Sequence, residues 1–201
     1  SFSIGVDTHP QAPVAVIVAQ DAERGPGRVR LSGVPSYAMG NRVLTYDWQL
    51  VSYPEGILPP PVESGTTPIA SALLRSKGVY RFELQVHDGD LFSNVVGIDL
   101  TVVNVAPVAV VSDPIDFEIG DGNEIEITLD GSDSYDVNSE DSMTCVWAQS
   151  EGPTVTIEEP DALATKFVAI EAGDYVFTLT CSDGELTGEA ASLVVTGTSS
   201  A

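Results

Sequence analysis

The sequence predicts an all-β protein made of two antiparallel β-sandwiches in tandem. Three observations carry this. Apolar residues alternate with polar ones at the period of a half-buried strand. Valine, threonine, isoleucine and leucine dominate, and 18 glycines and 13 prolines punctuate the chain, a mix that favours strands joined by turns. The pattern also occurs twice within 201 residues, and each half is near the size at which a small sandwich closes its own core.

The elements follow in order. Ala12-Pro13-Val14-Ala15-Val16 opens the first copy and recurs as Ala106-Pro107-Val108-Ala109-Val110. Tyr46, Trp48 and Leu50 share one strand face, and the Trp-containing strand returns as Met143-Thr144-Cys145-Val146-Trp147-Ala148-Gln149. Ile125, Ile127 and Leu129 face one way while Glu124, Glu126 and Thr128 face the other. Gly78-Val79-Tyr80-Arg81-Phe82-Glu83-Leu84 recurs as Gly173-Asp174-Tyr175-Val176-Phe177-Thr178-Leu179, and Asp88-Gly89 recurs as Asp183-Gly184. The Asp-Gly pairs read as hairpin turns, because both positions tolerate positive φ. Tyr80 and Tyr175, each two residues after a glycine, read as corner tyrosines whose hydroxyls tie down a nearby loop. No segment sustains a helical period over three turns. About seven strands in each copy give an immunoglobulin-like sandwich, with domains 1–104 and 105–201 and one tryptophan in the centre of each core.

The net charge of −22 is uneven: residues 105–201 hold twenty Asp and Glu against the single Lys166, while residues 1–104 hold ten against seven basic residues. Nucleic acid and anionic membrane are poor partners for such a surface. No stretch approaches the roughly 20 apolar residues of a membrane span, so membrane insertion is not expected. The chain begins at Ser1 without a methionine and reads as a processed piece of something longer.

The second copy strings together Asn104-x-x-Pro107-x-Ala109, Leu129-Asp130-Gly131-Ser132-x-Ser134-x-Asp136, Asp141-x-x-Thr144-x-x-Trp147, Gly152-Pro153-x-Val155 and Gly173-x-Tyr175-x-Phe177-x-Leu179, ending at Asp183-Gly184. This resembles the PKD-like family of β-sandwich modules over nearly all of residues 104–196. The first copy keeps the Ala-Pro-Val-Ala start, the Trp strand, Gly-x-Tyr-x-Phe-x-Leu and Asp-Gly. It lacks Asp-Gly-Ser-x-Ser-x-Asp and Gly-Pro-x-Val, and reads as a diverged member. The resemblance implies extracellular spacing, adhesion or presentation of a neighbouring domain, and no catalysis.

Calcium is the most concrete chemistry. Hard cations take six to eight oxygens from carboxylates and carbonyls, and the resemblance places Asn104, Asp136, Asn138 and Asp183 at such a site. Asp141 joins them on spacing, because this loop is long. The alternative is a solvated acidic loop beside a hairpin turn. In the first copy Pro10 stands for Asn104, Tyr37 or Ser36 for Asp136, and Arg42 for Asp141. An arginine opposes a cation, so Ca2+ is expected in the second domain only, where it would stiffen the junction between the copies.

Cys145 and Cys181 occupy core-facing positions on the central and penultimate strands, with Tyr46 and Val86 as their counterparts. They read as a disulfide, which implies an oxidising compartment. Two buried free thiols are the alternative. Enzymatic activity is not expected: the only histidines are His9 and His87, and no nucleophile elbow, zinc-protease motif or phosphate loop is present. The proline-rich stretch Pro54–Pro61 reads as a stiff loop that packs on its own sheet, with Ile57 and Leu58 as the alternative partner contacts.

Together these readings make the chain a non-catalytic spacer or adhesion module of a secreted or cell-surface protein, bacterial in origin, whose partner is a cell-surface protein or polysaccharide. The rivals are a carbohydrate- or protein-ligand-binding module with aromatics displayed on a sheet face, and a self-associating surface stalk component.

Overall fold

The structure, a computed structural model, describes residues 10–20, 22–138 and 142–200. It divides into two compact units, Ser1–Asn104 and Val105–Ala201.

Unit 1 holds seven strands among its described residues: β1 (Val18–Ala19), β2 (Glu23–Arg24), β3 (Gly27–Ser32), β4 (Thr45–Ser52), β5 (Ile69–Leu74), β6 (Gly78–His87) and β7 (Val96–Val102). One sheet has the order β2-β7-β6-β4 and the other β1-β3-β5. Strand β6 shows why the sequence folds this way. Tyr80, Phe82, Leu84 and Val86 are all buried, and the residues between them face outward, as period-two patterning on a one-sided sheet requires. They meet Val29 and Leu31 of β3, Ala70, Ala72 and Leu74 of β5, and Trp48 of β4 in one core.

Unit 2 repeats this with β8 (Ile115–Ile119), β9 (Ile125–Asp130), β10 (Thr144–Glu151), β11 (Ala164–Ala169), β12 (Gly173–Ser182) and β13 (Ala191–Ser199). The four-stranded sheet runs β10-β12-β13-β8, and β11-β9 covers it. Tyr175, Phe177, Leu179 and Cys181 face inward from β12. Phe167 packs against Phe177 and Tyr175 with ring centroids 4.7 and 5.4 Å apart, tilted as aromatic pairs prefer.

The two units share their register in detail. Trp48 pairs with Leu84 and Trp147 with Leu179. Each tryptophan donates its indole N–H to a carbonyl, Thr67 O at 3.1 Å and Leu163 O at 3.2 Å, so a buried polar handle is satisfied. A β-bulge falls between Leu50 and Ser52 and again between Gln149 and Glu151. The Tyr80 hydroxyl donates to Ser76 O (2.9 Å) and that of Tyr175 to Glu171 O (2.7 Å). Both are therefore corner tyrosines, and burial raises the Tyr175 phenol above its usual range.

Several details depart from the sequence reading. Each unit carries one parallel pair, β2 with β7 and β8 with β13, where wholly antiparallel sheets were expected. The Asp-Gly hairpins place only the glycine at positive φ, 98° for Gly89 and 89° for Gly184. The aspartates act instead through their carboxylates. The first copy also keeps part of what it was expected to lack. Pro54 packs over Gly78 as Pro153 packs over Gly173. Gly33 abuts Trp48 as Gly131 abuts Trp147, at distances that leave no room for a larger side chain. Within the Pro54–Pro61 loop, Ile57 packs against the core while Leu58 is 91% exposed.

Candidate functional site

In unit 2 the leading segment and the loop before β10 are latched together at one pole. Val108 and Tyr135 exchange backbone hydrogen bonds of 2.8 and 3.0 Å. Ser134 Oγ accepts from Val110 N–H (2.9 Å) and donates to Val110 O (3.2 Å). Asp130 caps the turn below by accepting from Ser132 N–H, and bonding with Ser132 lowers its carboxyl below the usual range. The loop then runs through the candidate ligands. Asp136 Oδ1 accepts from Asn138 N–H at 2.7 Å, and Asn138 Oδ1 accepts from Val105 N–H at 2.9 Å. Asn138 is 1% exposed. Asp136 Oδ2 is buried and has no hydrogen-bond partner among the described residues, an arrangement that is costly for a carboxylate oxygen unless something positive meets it.

Asp183 sits in the hairpin that follows β12. Its Oδ1 accepts from Glu185 N–H (2.7 Å) and Leu186 N–H (2.6 Å). Because Thr144 pairs with Ser182, this hairpin and the loop entering β10 leave the sheet at the same end. Asn104 Oδ1 is buried at the last residue of unit 1, directly before Val105 in the chain. Asp141 lies outside the described residues. Among the described residues, no three acidic, histidine or cysteine side chains converge into a ready-made metal cage. The candidate oxygens at this pole are amide as well as carboxylate groups.

The same pole of unit 1 is built on the same plan with different charges. Ser36 Oγ bonds both Val16 N–H and Val16 O, and Val14 bridges Tyr37. Ser36 and Tyr37 thus correspond to Ser134 and Tyr135, and Ala38 stands at the place of Asp136. This corrects the expectation that Tyr37 or Ser36 replaces that aspartate, which slipped because two loops differ in length. Asp88 repeats Asp183 by accepting from Asp90 N–H (3.0 Å) and Leu91 N–H (2.9 Å). Arg42, at the place of Asp141, forms a salt bridge with Asp88 Oδ2 (3.5 Å) and with Asp90. A guanidinium thus neutralises the hairpin aspartate in unit 1. The serine latch was missed by sequence reasoning, although the shared Gly-x-x-Ser spacing of Gly33/Ser36 and Gly131/Ser134 could have revealed it.

Cys145 and Cys181 face each other across the β10–β12 ladder and are joined in a disulfide. Both are buried, and no free cysteine remains. The counterparts Tyr46 and Val86 are paired in the same register. The bridge therefore lies within one sheet and ties its edge strand β10 to β12.

Residues 121–196 match the family model described as K319L-like, PKD domain. Over that stretch unit 2 is similar to a PKD domain, and unit 1 repeats the strand order of unit 2. The chain is similar in structure to the PKD domain from KIAA 1837 protein (24% identity, 46% of this chain and 87% of that one, TM-score 0.38). It is similar also to titin domains z1z2 in complex with telethonin (10% identity, 96% and 100%, TM-score 0.42) and to Drosophila N-cadherin EC1-4 (12% identity, 94% and 50%, TM-score 0.42). No curated protein matches the sequence. Among the described residues, no helix is long and apolar enough to cross a membrane.

Proposed function

We propose that the chain is a non-catalytic spacer or adhesion module of a secreted or cell-surface protein, acting on a protein partner. The observation that carries this reading is the buried Cys145–Cys181 bridge between β10 and β12 of unit 2. Such bridges persist in oxidising compartments and are rare in the cytosol. The match of residues 121–196 to a PKD domain model supports it, as does the internal repetition, since strings of small closed sandwiches suit spacing. Trp48 and Trp147 are buried and unavailable as a sugar platform, which disfavours the carbohydrate reading. The test is the thiol state of the chain recovered from its native location, read by intact mass after blocking free thiols. A bridged chain agrees with the proposal, and two blocked thiols in the native material would overturn it.

We further propose that unit 2 binds one calcium ion through Asp136, Asn138 and Asp183, with Asp141 and Asn104 as additional oxygen donors. Support comes from the buried Asp136 Oδ2 and from Arg42 at the corresponding place in unit 1. Because Asn138 Oδ1 holds Val105 N–H, an ion that orders this loop fixes the chain where it enters unit 2. Calorimetric titration of the intact chain with calcium is expected to show one saturable site that Asp136→Ala removes. Exchange of the Val105 amide is expected to slow when the ion binds. Absence of heat, or a site unaffected by Asp136→Ala, would reject the assignment.

A further inference from the structure

The chain contains four Asp-Gly pairs: Asp88-Gly89, Asp121-Gly122, Asp130-Gly131 and Asp183-Gly184. Such a pair can close on itself. The glycine backbone nitrogen attacks the aspartate Cγ, a C–N bond forms, and water leaves, taking the nitrogen's proton and the carboxyl hydroxyl. The product is a five-membered cyclic imide. Water then adds to one of its two carbonyls. Addition at Cγ restores aspartate, whereas addition at the backbone carbonyl breaks the original peptide link and leaves an isoaspartyl residue, with one extra backbone carbon. The step needs only water. It also needs both partners disengaged: a carboxyl group able to turn toward the chain and a glycine nitrogen not already committed as a donor.

In three pairs both partners are engaged. Asp88 accepts from two backbone N–H groups and pairs with Arg42, while Gly89 N–H donates to His87 Nδ1. Asp130 accepts from Ser132 N–H, while Gly131 N–H donates to Leu163 O at 2.8 Å. Asp183 accepts from two backbone N–H groups, while Gly184 N–H donates to Ser182 Oγ. The fourth pair differs in its hydrogen bonds. Asp121 and Gly122 are exposed and form the tip of the turn between β8 and β9. That turn is closed by Asn123 N–H donating to Gly120 O. Neither the Asp121 carboxylate nor the Gly122 N–H has a hydrogen bond among the described residues. Gly122 shares its positive φ (74°) and the open space where a Cβ would stand with Gly89 and Gly184, so the hydrogen bonds alone separate it from them.

We propose that Asp121 is a selective site of spontaneous isoaspartyl modification in the folded protein, and that the other three pairs are protected by their hydrogen bonds. The folded chain, kept at 37 °C in mildly acidic buffer, is sampled over weeks. Its peptides are mapped by electron-transfer fragmentation, which distinguishes the two isomers, equal in mass, by fragment ions from cleavage at the extra backbone carbon. Isoaspartate is expected at Asp121 at a rate at least about tenfold above each other pair, because at those pairs two or more hydrogen bonds must open before attack. Gly122→Ala is expected to suppress it by hindering the attacking nitrogen, with the other three sites unchanged. In denaturant with reductant the four rates are expected to converge, since the sequence is then all that remains. Comparable rates at the four pairs in the folded chain, or a faster rate at Asp88, Asp130 or Asp183 than at Asp121, would overturn the proposal. So would an Asp121 that stays unmodified while the unfolded chain reacts.

Discussion

Replacing Cys145 and Cys181 together by alanine removes the one covalent tie between β10 and β12. The bridge closes a separation of 36 residues, for which loop-closure entropy corresponds to about 3.8 kcal/mol at 25 °C. For a domain of this size, a loss of that order lowers the unfolding temperature by roughly 15–30 °C. The effect is confined to unit 2, because unit 1 has a separate core and holds the non-covalent pair Tyr46–Val86 in the same register. Scanning calorimetry of the intact double variant measures the shift. Hydrogen exchange assigns it: amides of Tyr175–Cys181 are expected to lose protection while those of Tyr80–Val86 do not. A unit 2 transition that coincides with the parent's would refute the reasoning. It would mean that the β10–β12 ladder already restricts the unfolded chain as the bridge does, or that the bridge is not formed.

Two further outcomes follow from groups that recur in both units. Tyr80→Phe and Tyr175→Phe each delete a hydroxyl and leave a carbonyl, Ser76 O or Glu171 O, without that donor. Each is expected to cost about 1 kcal/mol in urea unfolding, and two unchanged midpoints would remove the corner role. Asp88 is held below the usual carboxylate range chiefly by the N–H groups of Leu91 and Asp90, with a smaller pull from Arg42. Its contribution to unit 1 is therefore fully present above about pH 4 and lost as the pH falls through the lowered folded-state value. A carboxyl-carbon titration is expected to show a low Asp88 midpoint that rises only modestly in Arg42→Ala. A midpoint equal to that of an exposed aspartate would contradict the hydrogen-bonding account.

What was legible in the sequence was whatever repeats at short range. Alternation identified β4, β9 and β12, and Trp48, Trp147, Tyr80 and Tyr175 announced their roles by position alone. The disulfide was legible because Cys145 and Cys181 sit at fixed spacing from two landmarks, Trp147 and Asp183, that anchor neighbouring strands. Contacts that join distant residues were harder. The offset between copies is 94 at Val14/Val108, 98 at Gly33/Gly131, 99 at Trp48/Trp147 and 95 at Gly78/Gly173, so residues in the loops between slide out of alignment. That drift hid Ala38 as the counterpart of Asp136, and Pro54 as the counterpart of Pro153. The parallel pairs were not legible at all, because a strand's own alternation does not record the direction of its neighbour. Asp141 remains a sequence-level candidate.

The two copies answer one physical problem in two ways. Each hairpin aspartate, Asp88 or Asp183, turns one carboxylate oxygen onto two backbone N–H groups, which leaves negative charge at a pole that the preceding loop must share. In unit 1 that loop supplies Arg42, and the charge is met within the chain. In unit 2 the residue six before the tryptophan is in the sequence an acid, Asp141, and the described loop holds another, Asp136. No basic side chain of that loop meets the charge among the described residues. The same division runs through the whole of unit 2, whose twenty acidic residues face a single lysine. Self-repulsion on that scale opposes compactness, and unit 2 holds β9 and β11 in a sheet of two strands where unit 1 has three. A covalent bridge that ties the edge strand β10 of its larger sheet to β12 offsets both. Unit 1, with seven basic residues spread among ten acids, closes the same fold on Tyr46 and Val86 without one.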